Sequence, residues 1–242
     1  MSLLRYLFTS AVLGAMFCSG CDLSHGKPGK DSETLAPDQI MDFATLYSQN
    51  CAGCHGTEGR GGAAIALADP VYLGIADDGA VRRVTANGVP GTAMPAFAQS
   101  AGGMLTDKQI EVITSGIRSR WSKPGILEAT NPPSYSAKSA GNIALGAIVF
   151  KSYCESCHGA GGRGGPKGSA ITSDAFLELI GGQGLRTVVI TGRPELGAPD
   201  WRGNLPGKPM SEQEITDVVA WLVSQRPKSG PELNSASNYA QH

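Results

Sequence analysis

An all-α chain that uses one helical unit twice is the fold class this sequence predicts, and three observations predict it. The runs YSQNCAGCHGTEGRGG (Tyr47 to Gly62) and FKSYCESCHGAGGRGG (Phe150 to Gly165) are near copies. Each follows apolar residues at helical spacing: Ile40, Phe43, Ala44 and Tyr47 before Cys51, then Ile143, Leu145, Ala147, Ile148 and Phe150 before Cys154. Each is followed, beyond glycine-rich loops, by an amphipathic stretch opened by a capping residue: TDKQIEVITSGI from Thr106 and SEQEITDVVAWLV from Ser211. The repeat keeps its register. Cys51 maps to Cys154 at an offset of 103, and Leu73, Arg82 and Gly88 map to Leu177, Arg186 and Gly192 at 104, which is the mark of internal duplication.

The elements follow in order. Residues 1–20 carry Arg5, a short apolar run and small residues, which reads as an export signal. The run is shorter than the roughly 20 apolar residues a membrane span requires. The stretch CSGC resembles a bacterial lipobox, with Cys21 as the residue that would be lipidated, although Cys18 stands where that motif usually has an aliphatic. Residues 21–36 are polar and read as a tether. Residues 37–121 form the first unit, and 122–140, rich in Pro, Ser and Gly, a linker. Residues 141–226 form the second unit and 227–242 a disordered tail. A net charge of −1 gives no basic surface for nucleic acid. With 33 glycines and few aromatics among 242 residues, a bound cofactor is expected to supply part of the apolar core.

Six cysteines in an exported chain would suggest disulfides, but Cys51, Cys54, Cys154 and Cys157 all stand in C-x-x-C pairs, each followed by His55 or His158. Two thiols at that spacing can add to the two vinyl groups of a haem while the adjoining imidazole binds its iron from one side. A zinc site would require the two pairs to meet across the linker, and a redox dithiol would require βαβ signals that are absent. GAGGRG (Gly159 to Gly164) fits the dinucleotide fingerprint formally, but no strand precedes it. Arg60 and Arg163, or Arg82 and Arg186, are candidates to pair with haem propionates, the alternative for each being a solvated surface charge.

With these motifs the chain resembles the class I cytochromes c, and specifically the tandem dihaem proteins built of two such domains. The resemblance implies two haem c groups, with covalent attachment at Cys51, Cys54, Cys154 and Cys157 and iron ligation by His55 and His158. Such domains take a second axial ligand, usually methionine, from a later loop. GVPGTAMPAF (Gly88 to Phe97) matches that loop and nominates Met94, with Met104 as a local rival. In the second unit the position of Met94 holds Ala198, while Pro95 and Phe97 map to Pro199 and Trp201. Met210 is the second half's only methionine. It is either the sixth ligand or, as the counterpart of Leu105, core; His25 and His242 are rivals, and an open iron position is the other outcome.

The function expected from the resemblance is single-electron transfer in a respiratory or photosynthetic chain on the periplasmic side of the cytoplasmic membrane, with the protein held there by its lipid. Its redox partners would be a quinol-oxidising complex or dehydrogenase on one side and a terminal oxidase or other acceptor on the other. The alternatives are a peroxidase-like or small-molecule enzyme with an open second haem, and a fixed subunit of a larger redox complex.

Overall fold

The structure, a computed structural model, describes residues 35–227. Within them regular structure is helical, and β pairing is limited to two isolated bridges, Ala98 with Leu105 and Arg193 with Ala198. Among the described residues, those from Asp38 onward form one compact unit. No helix among the described residues is long and apolar enough to cross a membrane.

The first half begins with α1 (Phe43–Asn50), which starts where the Asp42 carboxylate accepts the Thr45 N–H at 2.8 Å. It runs directly into α2 (Ala52–His55), the turn that holds the first motif. Asp69 caps α3 (Pro70–Ile75), which has proline at its start, and Asp77 caps α4 (Asp78–Asn87). The closing helix α5 (Asp107–Trp121) opens with a capping box in which Thr106 and Gln109 satisfy each other's backbone N–H. The second half repeats the scheme with α6 (Ile143–Tyr153), α7 (Glu155–His158), α8 (Asp174–Leu179), α9 (Gly182–Thr191) and α10 (Glu212–Ser224). Ser211 and Glu214 form the box before α10.

In each half the first helix is buried against the closing helix. Leu46 and Tyr47 of α1 pack with Ile110, Ile113 and Ile117 of α5; Val149 and Phe150 of α6 pack with Ile215 and Val218 of α10. Each such aliphatic side chain contributes about 1.5–3 kcal/mol when fully withdrawn from water. The crossing is made close in opposite ways. In the first half the Phe43 ring lies over Gly116, where a Cβ would fall 2.1 Å from the ring. In the second, glycine stands in Phe43's place as Gly146, and Trp221 stands in Gly116's place. A Cβ on Gly146 would lie 2.0 Å from the Asp217 carbonyl oxygen and 2.8 Å from the Trp221 Cβ.

The halves also share packing. Val71 and Ile75 of α3, with Leu127 of the linker, join the apolar cluster of the second half. The linker is pinned along its length. The Tyr135 ring meets Tyr72 edge-on at 6.4 Å, and the Ser134 carbonyl accepts from Arg186 at 2.9 and 3.1 Å. Arg186 also donates to the Tyr135 carbonyl (3.1 Å), the Thr216 hydroxyl (3.0 Å) and the Glu212 carboxylate (2.5 Å).

Asp69 yields a pH prediction. Burial raises its pKa, against the lowering effect of the Tyr72 and Val71 N–H bonds. In the interval between the unfolded value, about 3.9, and the raised folded value, the native state binds more protons than the unfolded chain. Stability therefore falls as pH rises through that interval. Asp69→Asn keeps an acceptor for the Tyr72 N–H and removes the charge. Its gain in urea midpoint over the parent should be larger at neutral pH than near pH 4.

Candidate haem-binding sites

Each motif histidine is placed by three local features. The preceding helix ends at the first cysteine, whose carbonyl accepts the histidine N–H: Cys51 from His55 at 3.0 Å, Cys154 from His158 at 2.9 Å. The glycine that follows turns the chain away at positive φ, 81° at Gly56 and 74° at Gly159. A Cβ there would strike the Arg60 carbonyl oxygen at 1.8 Å or that of Gly164 at 2.1 Å, so only glycine fits. In the first half the Tyr47 hydroxyl also donates to the Gly56 carbonyl at 2.9 Å, a bond Phe150 cannot make.

The imidazoles are oriented for metal ligation. His55 Nδ1 lies 2.8 Å from the Ile65 carbonyl oxygen and His158 Nδ1 2.9 Å from that of Ser169. A carbonyl can only accept, so Nδ1 carries the proton and Nε2 presents a lone pair. His55 Nε2 is buried and has no protein partner. Burial also lowers the His55 pKa, which keeps the ring neutral, the form that binds metal. A buried acceptor left open in this way fits an iron on that side.

The four cysteines of the motifs are free. Burial, then the neighbouring Cys54, pushes the Cys51 thiol up to about 11, and burial, then Cys157, pushes Cys154 up to about 12, so both are protonated near neutral pH. Among the described residues no three His, Cys, Asp or Glu side chains converge as a metal cage, and the two C-x-x-C pairs do not assemble a shared zinc site. The side chains present fit haem attachment: paired thiols beside an imidazole that presents its free nitrogen.

On the distal side the two halves keep one loop. Val89 N–H donates to the Met94 carbonyl at 3.0 Å, and Arg193 N–H donates to the Ala198 carbonyl at the same 3.0 Å. Ala198 thus occupies Met94's place in space as well as in sequence. Met94 is partly buried, with its N–H on the Thr92 hydroxyl at 3.2 Å, whereas Met104 is 82% exposed on the surface. Met210 occupies the place of Leu105: its N–H donates to the Trp201 carbonyl at 2.9 Å, as Leu105 donates to Phe97 at 2.8 Å. It is buried beside Trp201, with the Asn204 amide nitrogen 3.8 Å from its sulfur. Cys21, His25 and His242 lie outside the described residues.

Of the arginines proposed for propionates, Arg186 is excluded, since its guanidinium is buried and fully engaged with the linker, Thr216 and Glu212. Arg82, its repeat partner, lies on the surface 3.7 Å from Asp107. The residues that sequence reasoning missed are the Ile65 and Ser169 carbonyls, which orient the histidines. They are backbone groups and leave no side-chain signature.

A helical unit used twice, with an iron-ready histidine behind each C-x-x-C pair, defines a c-type cytochrome. Residues 38–115 and 141–222, well over half of the chain, match the family described as cytochrome c oxidase, cbb3-type, subunit III, and the chain belongs to that family. Its cofactors are two haem c groups, one for each matched stretch. The chain is 34% identical over 131 residues to the Cbb3-type cytochrome c oxidase subunit CcoP of Azospirillum sp. (strain B510). That match covers 48% of this chain and 38% of the relative, so the likeness is to a part of that protein. Among solved structures, the Kuenenia stuttgartiensis reducing HAO-like protein complex Kustc0457/Kustc0458 is similar at a TM-score of 0.45 and 19% identity, over 80% of this chain and 100% of that one.

Proposed function

We propose that the chain relays single electrons through its two haems on the periplasmic side of the cytoplasmic membrane, held there by a lipid on Cys21 and passing electrons toward a terminal oxidase. The observation that carries this reading is the pair of histidines locked by Ile65 and Ser169 with Nε2 presented for iron. The relative's name supports an oxidase as the acceptor. Haem, when bound, supplies an iron that changes oxidation state by one electron without making or breaking a bond to substrate. Cys51, Cys54, Cys154 and Cys157 would hold the two groups covalently, and His55 and His158 would each supply a nitrogen ligand to one iron. Met94 would ligate the first iron through a soft thioether that favours the ferrous state, and Met210 would do the same for the second.

A second reading is favoured by one observation: Ala198 sits on the same backbone hydrogen bond as Met94 and offers no ligand. In that reading the second haem, when bound, would offer an open position to a small molecule such as peroxide. Carbon monoxide added to the dithionite-reduced holoprotein separates the two. Absence of rapid binding supports the relay with both methionines bound, and rapid binding at one haem supports the open site. In the relay reading Met94→Ala and Met210→Ala each create one carbon monoxide site; a Met94→Ala protein that still excludes the gas contradicts the first assignment.

A further inference from the structure

The distal loop of the second half has lost its methionine but not its shape. Besides the bond it shares with the Met94 loop, the Ala198 N–H returns a bond to the Arg193 carbonyl at 3.1 Å, which closes the loop into a β-bridge. Arg193 stands where the first half has Val89. Its guanidinium donates across 131 residues of sequence to the Gly62 carbonyl, at 3.0 Å. Gly62 belongs to the loop that follows the first C-x-x-C-H and lies against the motif itself, because a Cβ there would be 2.1 Å from the Cys54 carbonyl oxygen. Glu195, 2.5 Å from Arg193 Nε, fixes the guanidinium from the other side; both side chains are about one fifth exposed, 19% and 22%. The reciprocal contact exists as well. Ala93 N–H, beside Met94, reaches the Leu179 carbonyl at 3.5 Å, and a Cβ on Gly181 would lie 3.3 Å from Thr92.

The distal loop of each half therefore touches the other half, and the loop that holds Ala198 in the ligand's place carries an arginine fork onto the first haem-attachment loop. We propose that the Arg193–Ala198 loop is a clamp between the two haem sites, with Arg193 as a positioning residue that sets the rate of electron exchange between them. In that exchange one electron passes, one iron is oxidised and the other reduced, and no proton or bond is transferred. The inference rests on the relay reading. A guanidinium bond to a carbonyl is directional, so its loss frees the first attachment loop from the second half.

The test injects one electron rapidly into the fully oxidised holoprotein by pulse radiolysis and follows its redistribution between the haems, together with both reduction potentials. The parent should show a concentration-independent intramolecular phase. Arg193→Ala should slow that phase several-fold at matched driving force, which the two measured potentials supply. Arg193→Lys should restore part of the rate, and Glu195→Gln, which loosens the fork without removing it, should give an intermediate rate. A parent without an intramolecular phase defeats the relay reading itself. A parent with that phase, and unchanged rates in Arg193→Ala, Arg193→Lys and Glu195→Gln, overturns the clamp. If Arg193→Ala does not fold, the other two variants decide in the same way.

Discussion

Replacing Arg186 by leucine should destabilise the protein by about 3 kcal/mol or more, whereas the same change at Arg82, its counterpart one repeat earlier, should cost no more than about 0.5 kcal/mol. The two arginines share a register and differ in surroundings. Arg186 is 2% exposed and satisfies the Ser134 and Tyr135 carbonyls, the Thr216 hydroxyl and the Glu212 carboxylate at once. Its removal leaves half-buried linker carbonyls without donors, and leucine can neither hydrogen-bond them nor pair with Glu212. Arg82 makes a loose ion pair in water, 3.7 Å from Asp107. Lysine at 186 keeps the charge but not the planar fork, and should recover less than half of the loss. Urea unfolding of the holoprotein measures the contrast; equal midpoints for the two leucine variants would refute the pinned linker.

Gly146→Ala should be nearly as damaging, about 3 kcal/mol and a fall in Tm on the order of 10 °C. The added methyl would meet the Asp217 backbone carbonyl at 2.0 Å, and backbone inside a helix pair cannot swing aside. Gly116→Ala, at the corresponding crossing, meets the Phe43 ring, a side chain with rotational freedom, and should cost less. The inequality between the two glycines, read by thermal unfolding, tests the exchange of large and small residues at the helix crossing. A Gly116→Ala protein less stable than Gly146→Ala would contradict it.

The parts of this molecule written in local spacing could be read before any coordinates. The C-x-x-C-H pairs, the helices that run into Cys51 and Cys154, and the Thr106 and Ser211 caps all depend on residues within a few positions of one another. So does the replacement of Met94 by Ala198, which needs only the repeat register. What depends on residues far apart in the chain could not be read. Arg186 looked interchangeable with Arg82 because the register aligns them, and nothing local reports that the linker folds back over one and not the other. The exchange of Phe43 and Gly116 for Gly146 and Trp221 becomes visible only once α1 is laid on α5 and α6 on α10. Arg193 carried no motif; its role follows from Gly62, on the far side of the linker.

The claim at the centre of this account is that the chain binds two haem c groups whose distal methionines come from different places, Met94 from the loop and Met210 from the residue before the closing helix. The methionine-to-iron charge-transfer band of the oxidised holoprotein tests it most directly. Its intensity should correspond to two methionine-ligated irons in the parent and fall by about half in Met94→Ala and in Met210→Ala alike, since each change removes one of two thioether ligands. A band that falls in Met94→Ala and is unchanged in Met210→Ala would show that Met210 only fills the core, as Leu105 does, and leave the second iron to another ligand or to none.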